Sequence, residues 1–284
     1  MEFSNPRTLD AAVSELAAHP ATMPVAGGTD LMVAINFGRV RPPRLMSTRG
    51  LEELEALAQE AEVWCGAGVT FTRLLEEVGA STPGLAQAAR TVGSPQIRNA
   101  GTLGGNLGTA SPAGDALPVL AALDAAVVAR SEAGERRIPF HAFMTGPKRS
   151  ALEPGELILG ASWVGAGPSQ AFLKAGTRNA MVISVAALCL VADRARRRVG
   201  LGLGSVGPVV IRAREAEGFA EGLFEESGWD KELRPSKSAL ARFGELAASA
   251  ARPIDDIRGT AAYRRHVVSV MARRALERVG AIVK

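Results

Sequence analysis

Apolar residues recur at helical spacing in some stretches of this chain and at alternate positions in others, and the two rhythms take turns along its length. Leu9, Val13, Leu16 and Ala17 share one face behind a capping Thr8, with Pro20 as a stop, so a helix is predicted over Leu9 to Ala18. Met23-Pro-Val-Ala reads as a strand running into glycine. Glu62 to Gly68 reads as another, followed by Thr70 as the cap of a helix through Phe71, Leu74, Leu75 and Val78. Asp115 is placed to cap a helix over Ala116 to Leu123, with Pro118 tolerated in the first turn. Strands are predicted at 126–130 and 136–140, joined by a turn at 132–135, and again at 156–163. The glycine-rich Gly165 to Pro168 marks an expected boundary between a domain of residues 1–167, with subdomains of about 1–55 and 56–167, and a second domain of 168–284. Beyond it, strands are predicted at 171–175, 182–193 and 198–203, then helices at about 213–224, 236–251 and 260–279. Strands alternating with short helices give an α+β or α/β rhythm.

With 284 residues and 47% hydrophobic content, the chain has ample material for a buried core. The longest nearly apolar run, Met181 to Ala192, falls far short of the roughly 20 residues that a spanning helix needs, so no membrane span is expected. The opening residues lack a charged-then-apolar leader, and a cytoplasmic protein is expected. Cys65 and Cys189 are the two cysteines, far apart and without paired spacing. They make no case for a disulfide scaffold, a zinc site or an iron–sulfur cluster, so any redox metal must come from a partner. The net charge of +4 is mild and aromatics are only 5%. The densest basic cluster, Arg194 with Arg196, Arg197 and Arg198, therefore reads as a solvated turn between strands rather than a nucleic-acid surface.

Two glycine-rich stretches carry the chemistry. Ile97 to Asp115 holds five glycines among nineteen residues, with little bulk for a core, and Ala26-Gly-Gly-Thr-Asp-Leu31 is a shorter version. Such backbone is expected to wrap a ligand, because glycine admits positive φ and lets successive N–H groups converge on phosphate oxygens. Neither stretch has a lysine at the Walker position, which favours a diphosphate held by backbone, and so a dinucleotide. A third pattern, Gly202-Leu-Gly-Ser-Val-Gly207, has Rossmann spacing, but Pro208 to Ile211 looks extended where that fingerprint must open a helix. It reads as a strand exit. His19, His141 and His266 have no metal spacing, and no nucleophile–base pairing is apparent, so the chemistry falls to a cofactor.

The stretches "AGGTDL" at 26–31, "IRNAGTLGGNLGTASPAGDALPVLAALDA" at 97–125 and "PIDDIRGTAAYRRHVVSVMARRAL" at 253–276 together resemble the FAD-binding subunits of the molybdenum hydroxylases, such as carbon monoxide and xanthine dehydrogenases. The resemblance implies an α+β fold. A two-subdomain FAD-binding unit of the vanillyl-alcohol oxidase and p-cresol methylhydroxylase type would precede a carboxy-terminal sheet with packed helices. It implies FAD, with its diphosphate on Ala26, Gly27, Gly28, Thr29, Asp30 and Leu31, and with Thr102, Leu103, Gly104, Gly105 and Asn106 at phosphate and flavin-side contacts. It puts Asp115 on a hydroxyl of the adenosine ribose, Ile158 against a ring, and Lys174 near the flavin's far end. Val92 stands where relatives often carry an aromatic, and Val182 where many carry Asp. The implied partners are a small [2Fe–2S] subunit, a large molybdopterin subunit, and NAD or another electron acceptor. Two alternatives stay open: a stand-alone flavin oxidoreductase, and a dinucleotide-binding regulatory or assembly protein.

Overall fold

The computed structural model describes residues 1–281; the last residues of the expected second domain, 282–284, lie outside them. At the amino terminus β1 (Glu2–Ser4), β2 (Thr22–Val25) and β3 (Arg44–Ser47) form a parallel sheet in the order β1-β3-β2. Its crossovers are α1 (Leu9–Ala18), capped by Thr8 through Ala11 N–H at 3.2 Å, and α2 (Leu31–Asn36). These crossovers run in opposite directions across the sheet, so the right-handed connection that parallel strands adopt puts the two helices on opposite faces.

A five-stranded antiparallel sheet follows. It contains β4 (Leu57–Gln59), β5 (Glu62–Gly66), β6 (Ala126–Ser131) and β7 (Gly134–Pro139). Past a small hairpin of β8 (Met144–Gly146) and β9 (Arg149–Ser150), β10 (Leu157–Val164) enters between β5 and β6. The long connection from β5 to β6 carries α3 (Phe71–Glu77), α4 (Pro83–Thr91), α5 (Pro95–Ala100), α6 (Leu103–Thr109) and α7 (Leu117–Ala122), and the short α8 (Phe140–Phe143) follows β7. The last sheet, β11 (Gln170–Ala175), β12 (Ala186–Asp193), β13 (Arg198–Gly204) and β14 (Ile211–Arg212), is backed by α9 (Arg214–Ser227), α10 (Lys237–Ala250) and α11 (Ala261–Ala281).

Strand β12 joins the two hydrophobic cores. Its Ala186, Leu188, Leu190 and Ala192 pack with the carboxy-terminal helices, whereas Ala187, Cys189 and Val191 face the core of the preceding sheet. The alternation is the two-residue period of a strand buried on both sides. On β13, Gly200 and Gly202 face α7 so closely that a Cβ on either would overlap the Ala122 or Pro118 carbonyl. The Rossmann-like spacing at 202–207 thus serves helix-on-sheet packing. Strand β14 follows it, and no helix begins until Arg214.

Several expectations need correction. Residues 97–115 are not a bulk-poor wrapping loop. They contain α6, whose Leu103 and Leu107 are fully buried, and the end of α5. Asp115 does not cap the following helix; Ala116 precedes α7, and the carboxylate turns elsewhere. The strand expected from Val182 starts at Ala186: Met181 takes φ +50°, a left-handed turn that interrupts extended backbone, and Val185 N–H is bonded to Ala175 O at 2.8 Å just ahead of the strand. Arg196, Arg197 and Arg198 are exposed as expected, but Arg194 is half-buried. It donates to the carbonyls of Trp229 at 2.8 Å and Lys231 at 2.7 Å, and lies 5.1 Å from the Phe224 ring centroid.

Candidate functional site

The two glycine stretches, expected to act jointly, meet. A Cβ on Gly27 would overlap the Ala100 carbonyl, and one on Gly101 would lie 3.5 Å from Thr29 Oγ1. This contact fixes the loop at the end of β2 against the turn between α5 and α6. Gly28 has φ +69°, the left-handed region in which glycine carries no penalty. None of the main-chain N–H groups from Ala26 to Leu31 meets an acceptor among the described residues. Half-exposed N–H groups without partners, at the end of a parallel strand and the start of a helix, are a cradle for an anion.

The second stretch is built differently. The first N–H groups of α6 are already used: Leu103 donates to Val69 O at 3.0 Å, Gly104 to Ala67 O at 2.9 Å, and Gly105 to Thr102 Oγ1 at 3.0 Å. Thr102 is the cap of α6. A Cβ on Gly104 would fall 2.5 Å from Ala67 Cβ, so this glycine admits close packing on the end of β5. Asn106 leans over Gly114, and its Oδ1 is buried without a hydrogen-bond partner. A buried acceptor left without a partner calls for a donor from outside the described residues. Ile158, on β10 beside a bulge, is buried, and its Cδ1 would touch a Cβ on Gly108 of α6.

Asp115 and Lys174, expected at opposite ends of the coenzyme, are an ion pair. Lys174 Nζ donates to Asp115 Oδ2 at 2.5 Å and to Thr91 O at 3.2 Å, and the pair is almost wholly buried. Ser184 Oγ donates to Asp115 Oδ1 at 2.6 Å, and Thr91 Oγ1 donates to Oδ2 at 3.2 Å. Burial pushes the Asp115 carboxyl above its usual range, against the pull of Lys174, Ser184 and Thr91. The two residues therefore lie together rather than at separate points of the site. Thr91 and Ser184 were missed in the sequence because nothing in their spacing marks them. Val92 follows Thr91 at the end of α4 and accepts from Arg98 Nη1 at 3.0 Å, and Val182 packs into the space beside Gly176. A separate cleft lined by Asp124, His141, Arg198, Arg212 and Arg214 lies at the far end of α7 from Asp115; of the 97–125 motif it takes only the tail, and none of the expected cofactor-binding residues line it.

The profile of the FAD binding domain in molybdopterin dehydrogenase matches residues 1–162, and that of the CO dehydrogenase flavoprotein C-terminal domain matches 171–279. The chain belongs to the FAD-binding subunits of the molybdenum hydroxylases. Members of this family are oxidoreductase subunits that carry FAD, and α+β folds of this type are shared with CO dehydrogenase medium chains. The nicotinate dehydrogenase FAD-subunit of Eubacterium barkeri is 37% identical over 194 residues, 65% of this chain and 66% of that protein. The 6-hydroxypseudooxynicotine dehydrogenase complex subunit alpha of Paenarthrobacter nicotinovorans is 31% identical, over 89% of this chain and 84% of its own. Among solved structures, reconstituted CO dehydrogenase from Oligotropha carboxidovorans superposes with a TM-score of 0.89 at 26% identity, covering 99% of this chain and 98% of its counterpart.

Proposed function

We propose that this subunit holds the FAD diphosphate on the N–H groups of Ala26, Gly27, Gly28, Thr29, Asp30 and Leu31, accepts electrons from a small [2Fe–2S] partner and passes them to NAD or another acceptor. A large molybdopterin partner carries the substrate chemistry. The observation behind this reading is the junction of Gly27 with Ala100, which closes a cradle whose N–H groups have no internal partner. When bound, FAD supplies storage of two electrons and their exchange one at a time with a metal cluster.

The chain's own residues bind and orient. Thr29 adds a hydroxyl donor at the diphosphate, Thr102, Leu103, Gly104 and Gly105 build the helix end that backs it, and Asn106 Oδ1 accepts from the coenzyme. Ile158 packs behind α6 and limits water there. Asp115 and Lys174 sit together at the ring end, on the side of Val92. Lys174 brings positive charge to that end, and Asp115 compensates it when no ligand is present. This placement gives up the ribose contact expected of Asp115. No side chain here need form or break a bond in the organic substrate.

The reading is tested by releasing and identifying the cofactor of the purified protein and titrating FAD into the apo form. A yellow protein with one FAD per chain, whose affinity falls on Thr29→Val, is the expected outcome. Absence of FAD binding after reconstitution would overturn it.

A further inference from the structure

We infer that the face formed by α2 and the outer side of the β1-β3-β2 sheet docks a partner subunit whose apolar centre is ringed by carboxylates. The inference rests on the proposed heteromeric role. Helix α2, Leu-Met-Val-Ala-Ile-Asn, is apolar almost all round and buries none of its residues. So short a helix is not stable on its own propensity; in folded proteins it is held by packing an apolar face. Here Met32 is 38% exposed, Val33 48% and Phe37, just beyond the helix, 72%.

The sheet beneath continues the surface. Ser4 Oγ hydrogen-bonds Glu15 of α1 and Met46 lies in the core, so alternation turns their neighbours Phe3 and Leu45, with Met23 in the same row, to the other side. That is the side on which right-handed crossover places α2. Phe3 is 66% exposed and Met23 37%, on either side of Leu45, which is buried.

Charge identifies the occupant. From Phe37 to Gly50 every charged residue is an arginine: Arg39, Arg41, Arg44 and Arg49. Arg44 pairs with Glu2 and Glu15, whereas Arg39, Arg41 and Arg49 have no ion-pair partner among the described residues. Arg39 lies 5.4 Å from the Phe37 ring centroid, so apolar and cationic groups share one patch. A second copy seated isologously would bring like charges together. An acidic protein surface satisfies both the apolar centre and the basic rim.

The test co-expresses the chain with the iron–sulfur and molybdenum subunits of its complex and measures assembly by size exclusion and titration. Val33→Asp with Phe37→Asp is expected to weaken assembly at least about tenfold. Arg39→Glu with Arg41→Glu is expected to slow association and remove most of its salt dependence. Both variants should keep the melting temperature and FAD content of the isolated chain, because both leave residues 26–31 unchanged and replace exposed side chains. Normal assembly by both would overturn the docking face alone. So would a wild-type dimer abolished by these changes, or sedimentation with phosphatidylglycerol vesicles abolished by them while assembly persists. A wild-type chain that assembles with neither subunit would overturn the heteromeric role as well.

Discussion

The two glycine-rich stretches look alike in composition and differ in use. In residues 26–31 glycine frees the main chain: Gly28 takes positive φ, Gly27 touches Ala100, and the N–H groups point to no internal acceptor. In residues 101–109 glycine packs the main chain, since Gly104 lies against Ala67 and the first N–H groups of α6 are bonded to Val69, Ala67 and Thr102. What separates a ligand loop from a packed helix end is therefore the fate of its N–H groups, and not its glycine content.

Substitutions can break this contrast. Gly104→Ala is expected to destabilise by about 3 kcal/mol or more, or to prevent folding, because the new methyl meets Ala67 in a rigid strand end. Urea unfolding checks it, and a cost below half that value would mean that α6 shifts freely. Asp115→Asn should cost about 3 kcal/mol by leaving the buried Lys174 ammonium without its carboxylate. A stabilised variant in the same assay would show that the ion pair does not hold this part of the fold together.

The same change made at both stretches sharpens the comparison. Thr102→Val removes the cap of α6 and should lower stability by about 1 kcal/mol, read as a shift in melting temperature. Thr29→Val should leave the melting temperature in place and weaken FAD about fivefold in a fluorescence titration, the worth of one net hydrogen bond. Equal thermal shifts in the two variants would erase the distinction.

The smallest effect is on alkaline stability. Burial pushes the Cys65 thiol, on the strand that α6 packs against, from 9.0 up to about 12. A raised folded value means that stability is whole below the unfolded pKa and is lost as pH rises toward the folded one. Cys65→Ala should flatten the decline above pH 9 in thermal melts. In the wild type Cys65 should resist maleimide at pH 8, and Thr102→Val should quicken its labelling more than Thr29→Val does.

Much of this fold was legible locally. The Thr8 and Thr70 caps and the Leu9–Ala18 periodicity are short-range signals, and they match α1 and α3 because cap and face lie within a few turns. Helix α6 was not legible, since three glycines depress helix propensity by about 1 kcal/mol each and hide a segment that tertiary packing stabilises. At the candidate site, Ala26–Leu31 stood out by composition. Thr91 and Ser184 did not, because their link to Asp115 joins positions 24 and 69 residues away.

The sequence by itself determined the family, the cofactor and the elements whose signals are contained within a single helix or strand. Tertiary structure decided that residues 26–31 keep their N–H groups open while residues 103–105 lose theirs. It also decided that Asp115 and Lys174 lie together. The reason is that hydrogen-bond partners and ion pairs are chosen by proximity in the folded chain, and in each of these cases the partner comes from a distant segment whose approach no local pattern encodes.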